Sequence, residues 1–125
     1  MKLLFQLVLL ISFTSAYSQF IKEKKIVEDF IEREFKIAKA NEKQDYILWD
    51  KKLVLPNKDV AIKVAEPILF SIYGEKNILK QKPYNVSLRE NKWIITGTVH
   101  SEKGGSFLII LDARNSKVLR VIHEK

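Results

Sequence analysis

The chain has 125 residues, the length of one ordinary domain. It contains no cysteine, which excludes disulfides, a cysteine nucleophile and any cysteine-based metal site. A formal charge of +7 suits an acidic partner or an anionic surface, but the lysines are spread along the chain rather than gathered in a tract, which argues against nucleic acid.

The first residues read as a targeting segment. Lys2 supplies a positive n-region, Leu3 to Phe13 an apolar h-region, and Thr14-Ser15-Ala16-Tyr17-Ser18 the small residues of a cleavage site. On this reading residues 1–18 are a signal peptide, cut near Ala16–Ser18 with Ser18 favoured by the small-x-small pattern. Residues 19–125 are then a single exported domain, periplasmic or secreted. The apolar run falls short of the ~20 residues that a helical span needs, so no stable membrane insertion is expected. An exported chain without cysteine has to hold its fold by packing alone.

Phe20 to Asn41 has the spacing of an amphipathic helix. Val27, Phe30, Ile31, Phe35 and Ala38 fall at i, i+3, i+4, i+8 and i+11, with Glu32 and Lys36 paired on the charged side, and the aromatic residues read as core. Glu42 to Pro56 is a connection that Tyr46, Ile47, Leu48 and Trp49 pin to the core, with a short strand at Lys52 to Leu55. A central helix follows from Asn57 to Gly74. Asn57 is a good N-cap, Asp59 meets the helix dipole in the first turn, and Gly74 is placed for a C-terminal residue of positive φ. Ala61, Val64, Ala65, Ile68 and Ile72 make its apolar stripe, widened by Ile62 and Leu69. Pro67 removes an amide from the helix interior, so either the helix kinks there or a second one begins.

A polar link, Glu75 to Pro83, leads to four strands. Tyr84 to Arg89 alternates cleanly, Asn91 marks a turn, and Trp93 to His100 alternates again. A loop from Ser101 to Ser106 carries Gly104-Gly105 at its tip. Phe107 to Leu111 is apolar throughout and reads as covered on both faces; Asn115 is the expected left-handed residue of the next turn; Val118 to His123 is the last strand. Short connections imply an antiparallel meander. The fold class is therefore α+β: N-terminal helices packed on a curved antiparallel sheet of about four strands.

Little in the sequence carries chemistry, and no catalytic, cofactor-binding or metal-ligating residue is assigned. His100 and His123 lack metal-like spacing to a second ligand, although they could meet across neighbouring strands. Gly104-Gly105 has neither the motif nor the following helix of a phosphate loop. Glu66, in the middle of the apolar helix, is the one pocket candidate: turned to the sheet it would be buried with a raised pKa, and turned to solvent beside Lys63 it is ordinary surface. Trp93 and Tyr73 have the surface to stack a ligand and fit the core equally well. Asn85-Val86-Ser87 matches a glycosylation sequon.

Leu53 to Lys125 resembles the bacterial immunity proteins of the nuclear-transport-factor-2-like fold. The residues that carry the likeness are the run DVAIKVAEPILFSIYG with Tyr73 and Gly74, Lys82-Pro83-Tyr84, Trp93 with Gly97, the pair Gly104-Gly105, and the ending VLRVIHEK. Asn115-Ser116 and Glu124 depart from it at a turn and at the tail. The resemblance implies a cone-like, cystatin-like roll and a non-enzymatic role, neutralising a toxin by binding it. Leu111 to Leu119 is also similar to PepSY domains, which implies a secreted peptidase inhibitor or regulator as the alternative. A small-ligand-binding roll, with Glu66 in its concavity, is the third reading. The implied partner is a protein, toxin or peptidase; the sequence leaves the oligomeric state open.

Overall fold

The computed structural model describes residues 2–40, 47–48 and 50–124. The chain divides into two compact units, residues 1–44 and 45–125.

In the first unit one helix, α1, runs from Lys2 to Ala40. The amphipathic helix expected to start at Phe20 is continuous with the targeting segment expected before it. The physical reason is plain: there is no glycine or proline from Lys2 to Ala40, so nothing stops the helix. Ser12 and Thr14 donate their hydroxyls back to the carbonyls of Leu9 and Ile11, which lets them stay helical. The charged half carries the pairs Lys24–Glu28 and Glu32–Lys36 at i, i+4. Phe30 and Phe35, expected in the core, are 52% and 61% exposed, with Arg33 and Lys39 over their rings. The uncharged stretch reaches from Leu3 to Ile21, well beyond Phe13, and α1 is long and apolar enough to cross a membrane by length and composition. The expectation of no stable insertion counted only Leu3 to Phe13. A signal sequence passes the same length test.

The second unit is α+β. It contains α2 (Lys58–Tyr73), α3 (Glu75–Leu79) and the strands β1 (Asn85–Arg89), β2 (Lys92–Thr96), β3 (Phe107–Asp112) and β4 (Val118–His123). The sheet order is β1-β2-β3-β4 and every pair is antiparallel, as the short connections require. Asn57 caps α2 by accepting from the Val60 amide at 3.0 Å, and Asp59 lies in the first turn. The helix runs on through Pro67, an exposed position where water can reach the carbonyl left without a donor. Its buried line is Ala61, Ala65 and Leu69, rotated from the expected stripe; Ile72 is 54% exposed. Gly74, at φ 90°, donates to the Phe70 carbonyl and starts α3, so the segment read as a polar link is in part a helix, with Ile78 fully buried.

The sheet register puts Val86, Trp93, Ile95, Phe107, Ile109, Leu111 and Val121 on the face that meets α2. Leu108 and Ile110, on the other face, are half-buried, so β3 is fully covered on one side only. Glu90 and Asn91, both at positive φ, make the two-residue turn between β1 and β2 that matches strand twist. Before β4 the left-handed residue is Ser116, not Asn115, because Asn115 uses its side-chain oxygen to accept from the Lys117 amide. Lys52 to Leu55 forms no strand. Leu55 is nonetheless buried, donating its amide to Ala113 at 2.9 Å and accepting from the Trp93 indole at 2.8 Å. Of the four residues expected to pin this connection, Ile47 is exposed and Leu48 half-buried, while Tyr46 and Trp49 lie outside the described residues. Arg114 grips the buried Asp112 through its backbone amide and guanidinium, which holds that carboxyl below the usual carboxylate range despite burial.

Candidate functional site

Two polar clusters lie on either side of Lys82. The first forms around Glu66, which the helix places near the end of the sheet where β1 begins. Its Oε2 accepts the Tyr84 hydroxyl at 3.0 Å and lies 3.8 Å from the Lys82 ammonium. Glu66 is thus partly buried rather than turned out beside Lys63. Burial first, and then the hydrogen bond to Glu66 and its charge, push the Tyr84 phenol far above its ordinary range. Tyr84 also meets the edge of Phe107, with ring centroids 5.3 Å apart.

The second cluster forms around Gln81, just past α3, a polar residue only 5% exposed. Its backbone amide donates to Ile78 and its carbonyl accepts from Thr98 at 2.7 Å. Its side-chain Oε1 accepts from the Phe107 amide at 2.9 Å, at the start of β3. Its Nε2 donates to the Asn77 carbonyl at 3.3 Å and lies 3.3 Å from His123 Nε2, at the end of β4. A backbone amide only donates and a carbonyl only accepts, so these partners fix which way the Gln81 amide faces. His123 Nε2 must then be the acceptor, and the ring hydrogen belongs on Nδ1. One side chain thereby ties α3 to one end of the β3–β4 pair, where Phe107 and His123 lie opposite each other.

The neighbouring glycines make room for this. A Cβ on Gly97 would fall on the Gln81 side chain, and one on Gly105 would fall on the Glu124 carbonyl oxygen. Gly104 closes a turn by donating to the Ser101 carbonyl at 3.1 Å. The Tyr73 ring lies 5.1 Å from that of His123. His100 Nε2 donates to the Lys82 carbonyl at 2.6 Å, and the Thr98 hydroxyl donates to that of Pro83. Beside these groups is a half-open cleft of about 180 Å³, lined by Lys80, Gln81, His100, Ser101, Gly104 and His123 among others, with no carboxylate side chain in the lining.

Of the residues singled out in the sequence, Tyr73, Pro83, Gly97, Gly104 and Gly105 converge on this cleft or its walls. Gly74 instead caps α2, and Trp93 is core, its indole committed to Leu55. Glu66 belongs to the other cluster. His100 and His123, seen as two isolated histidines, line one cleft. Sequence reasoning missed Gln81, Lys80 and Ser101. The available signal was Gly97, because glycine inside a strand pattern marks the close approach of another group. Among the described residues no group of three His, Asp or Glu is placed to hold a metal ion.

Residues 60–125, from the first turn of α2 to the end of the chain, match the family described as NTF2 fold immunity protein. Two proteins of Escherichia coli strain K12 are also similar. Uncharacterized protein YhhH is 30% identical over 74 residues, 58% of each chain. Uncharacterized protein YbbC is 29% identical over 76 residues, 59% of this chain and 62% of its own. The chain thus spans about three fifths of the length of these curated relatives. No solved structure matches. More than half of the chain, including α3, all four strands and both polar clusters, lies inside the family match, and the protein belongs to the NTF2 fold immunity protein family.

Proposed function

We propose that the protein is an exported, non-catalytic immunity protein that neutralises a bacterial toxin by binding it. The observation that carries this reading is the family match, which takes in nearly the whole α+β unit rather than one motif. The arrangement of polar groups agrees with it. Glu66 is engaged by Tyr84 and Lys82 rather than left to act as a base. Producing the full chain together with the toxin encoded by a neighbouring gene should give a complex that co-purifies and should restore growth. A neighbouring toxin that neither binds the chain nor loses its effect would contradict the reading.

Export rests on the N-terminal half of α1. The uncharged stretch from Leu3 to Ile21 behind Lys2 has the layout of a signal sequence, with cleavage near Ala16–Ser18 and a mature domain from about residue 19. The intact mass of the protein recovered from the periplasm checks this: a chain beginning at Gln19 or Tyr17 is expected. Full-length protein held in the membrane fraction would show that the stretch acts as an anchor instead.

A further inference from the structure

We propose that the cleft beside Gln81 is a carboxylate-binding site that receives an aspartate or glutamate side chain of the protein partner. The proposal rests on the binding role above and names its point of contact. Lys80 brings a full positive charge, Ser101 a hydroxyl, and two imidazoles complete a lining without any acidic side chain. An anion placed there meets no like charge among the lining residues. Gln81 makes its own bonds to Phe107, Asn77 and His123, so it orders the site without itself being a ligand. Its amide leaves His123 with its hydrogen on Nδ1, so the tautomer is set before any ligand arrives. Such ordering removes part of the entropy that binding would otherwise cost.

Size selects the ligand. A volume of about 180 Å³ holds a carboxyl group with its methylenes and is small for a nucleotide. The cleft is half-open, which leaves a way in for a side chain carried on another protein. The lining has no arginine, the residue that suits planar bidentate phosphate recognition, and the charge of +7 favours encounter with an acidic surface.

The test uses the full isotope-labelled chain and three probes: N-acetyl-glutamate N-methylamide, its glutamine counterpart, and inorganic phosphate. The glutamate probe should shift the Gln81 side-chain amide, the His123 ring and the Gly104 amide saturably. The double variant Lys80→Ala with Ser101→Ala should lose at least fivefold in that affinity, while Lys63→Ala, on exposed helix surface, should not change it. Equal shifts with the glutamine probe, or with sodium chloride at matched ionic strength, would overturn a carboxylate site. Saturation by phosphate more tightly than by the glutamate probe would assign the cleft to a free anion and overturn the side-chain proposal. With a cognate toxin, the double variant should bind at least tenfold more weakly. Equal toxin binding by wild type and double variant would overturn the cleft assignment and leave the immunity role standing. Glutamate binding without any toxin binding would support the carboxylate site and overturn the immunity role.

Discussion

The Glu66 and Gln81 clusters are built from similar materials and behave in opposite ways. Glu66 is the carboxylate, yet the Tyr84 hydroxyl and the Lys82 ammonium both face its Oε2, so it is engaged within the chain. Gln81 carries no charge, yet its amide joins three elements and the polar groups around it open onto a cleft. The lesson is that a carboxylate within an apolar helix is a poor guide to a site when neighbouring groups already engage it. A buried amide that fixes the geometry of its neighbours is a better one.

That contrast can be broken or sharpened by substitution. The largest effect is expected from Gly105→Ala, because the new methyl group meets the backbone at Glu124, which cannot yield without moving the end of β4. A loss of about 3 kcal/mol in urea unfolding is expected from overpacking of this kind. A variant as stable as wild type would show that the chain does not pass Gly105 so closely. Next is Gln81→Leu, which leaves the Phe107 amide buried without its acceptor and should cost about 2 kcal/mol. Gln81→Glu keeps that acceptor, loses both Nε2 donors, and should differ from Gln81→Leu by retaining an ordered Phe107 amide in exchange measurements.

The closed cluster should respond less. Tyr84→Phe removes one hydrogen bond and leaves Glu66 with access to water, a cost of about 1 kcal/mol. The same variant has a pH signature. The Tyr84 phenol is raised in the folded state by burial and by Glu66, relative to about 10 when unfolded. Its contribution is therefore fully present below about pH 10 and is lost as pH rises toward the folded value. Urea midpoints should fall more steeply between about pH 10 and about pH 12 for wild type than for Tyr84→Phe; parallel curves would contradict the raised phenol. Lys82→Ala should be smallest, under about 1 kcal/mol, because the lysine is largely exposed and its ion pair is long.

Much of the frame of the second unit was legible in sequence because it rests on local rules. Asn57 as a cap, Gly74 at positive φ and the antiparallel meander all follow from neighbours in the chain. Errors came where local rules leave freedom. Leu69 displaced Ile72 from the buried line because the sheet, not the helix, decides which side is covered. Ser116 displaced Asn115 because the asparagine side chain had a better local bond to make. The Glu66 cluster was half legible: the residue stood out, but its partners lie some eighteen residues away in sequence. The Gln81 cluster was nearly invisible, since it depends on the approach of Phe107 and His123 from distant strands. Its trace in the sequence was Gly97, which makes room for the Gln81 side chain.

The tautomer of His123 tests most directly the claim that Gln81 organises the open cluster. Two-bond nitrogen–proton correlation spectra of the full chain should show the hydrogen on Nδ1 and a bare Nε2, with the two tautomers averaging once Gln81→Leu removes the donor. A hydrogen on Nε2 in the wild-type protein, or averaging already present there, would mean that Gln81 does not hold the ring and that the cleft is not built as described.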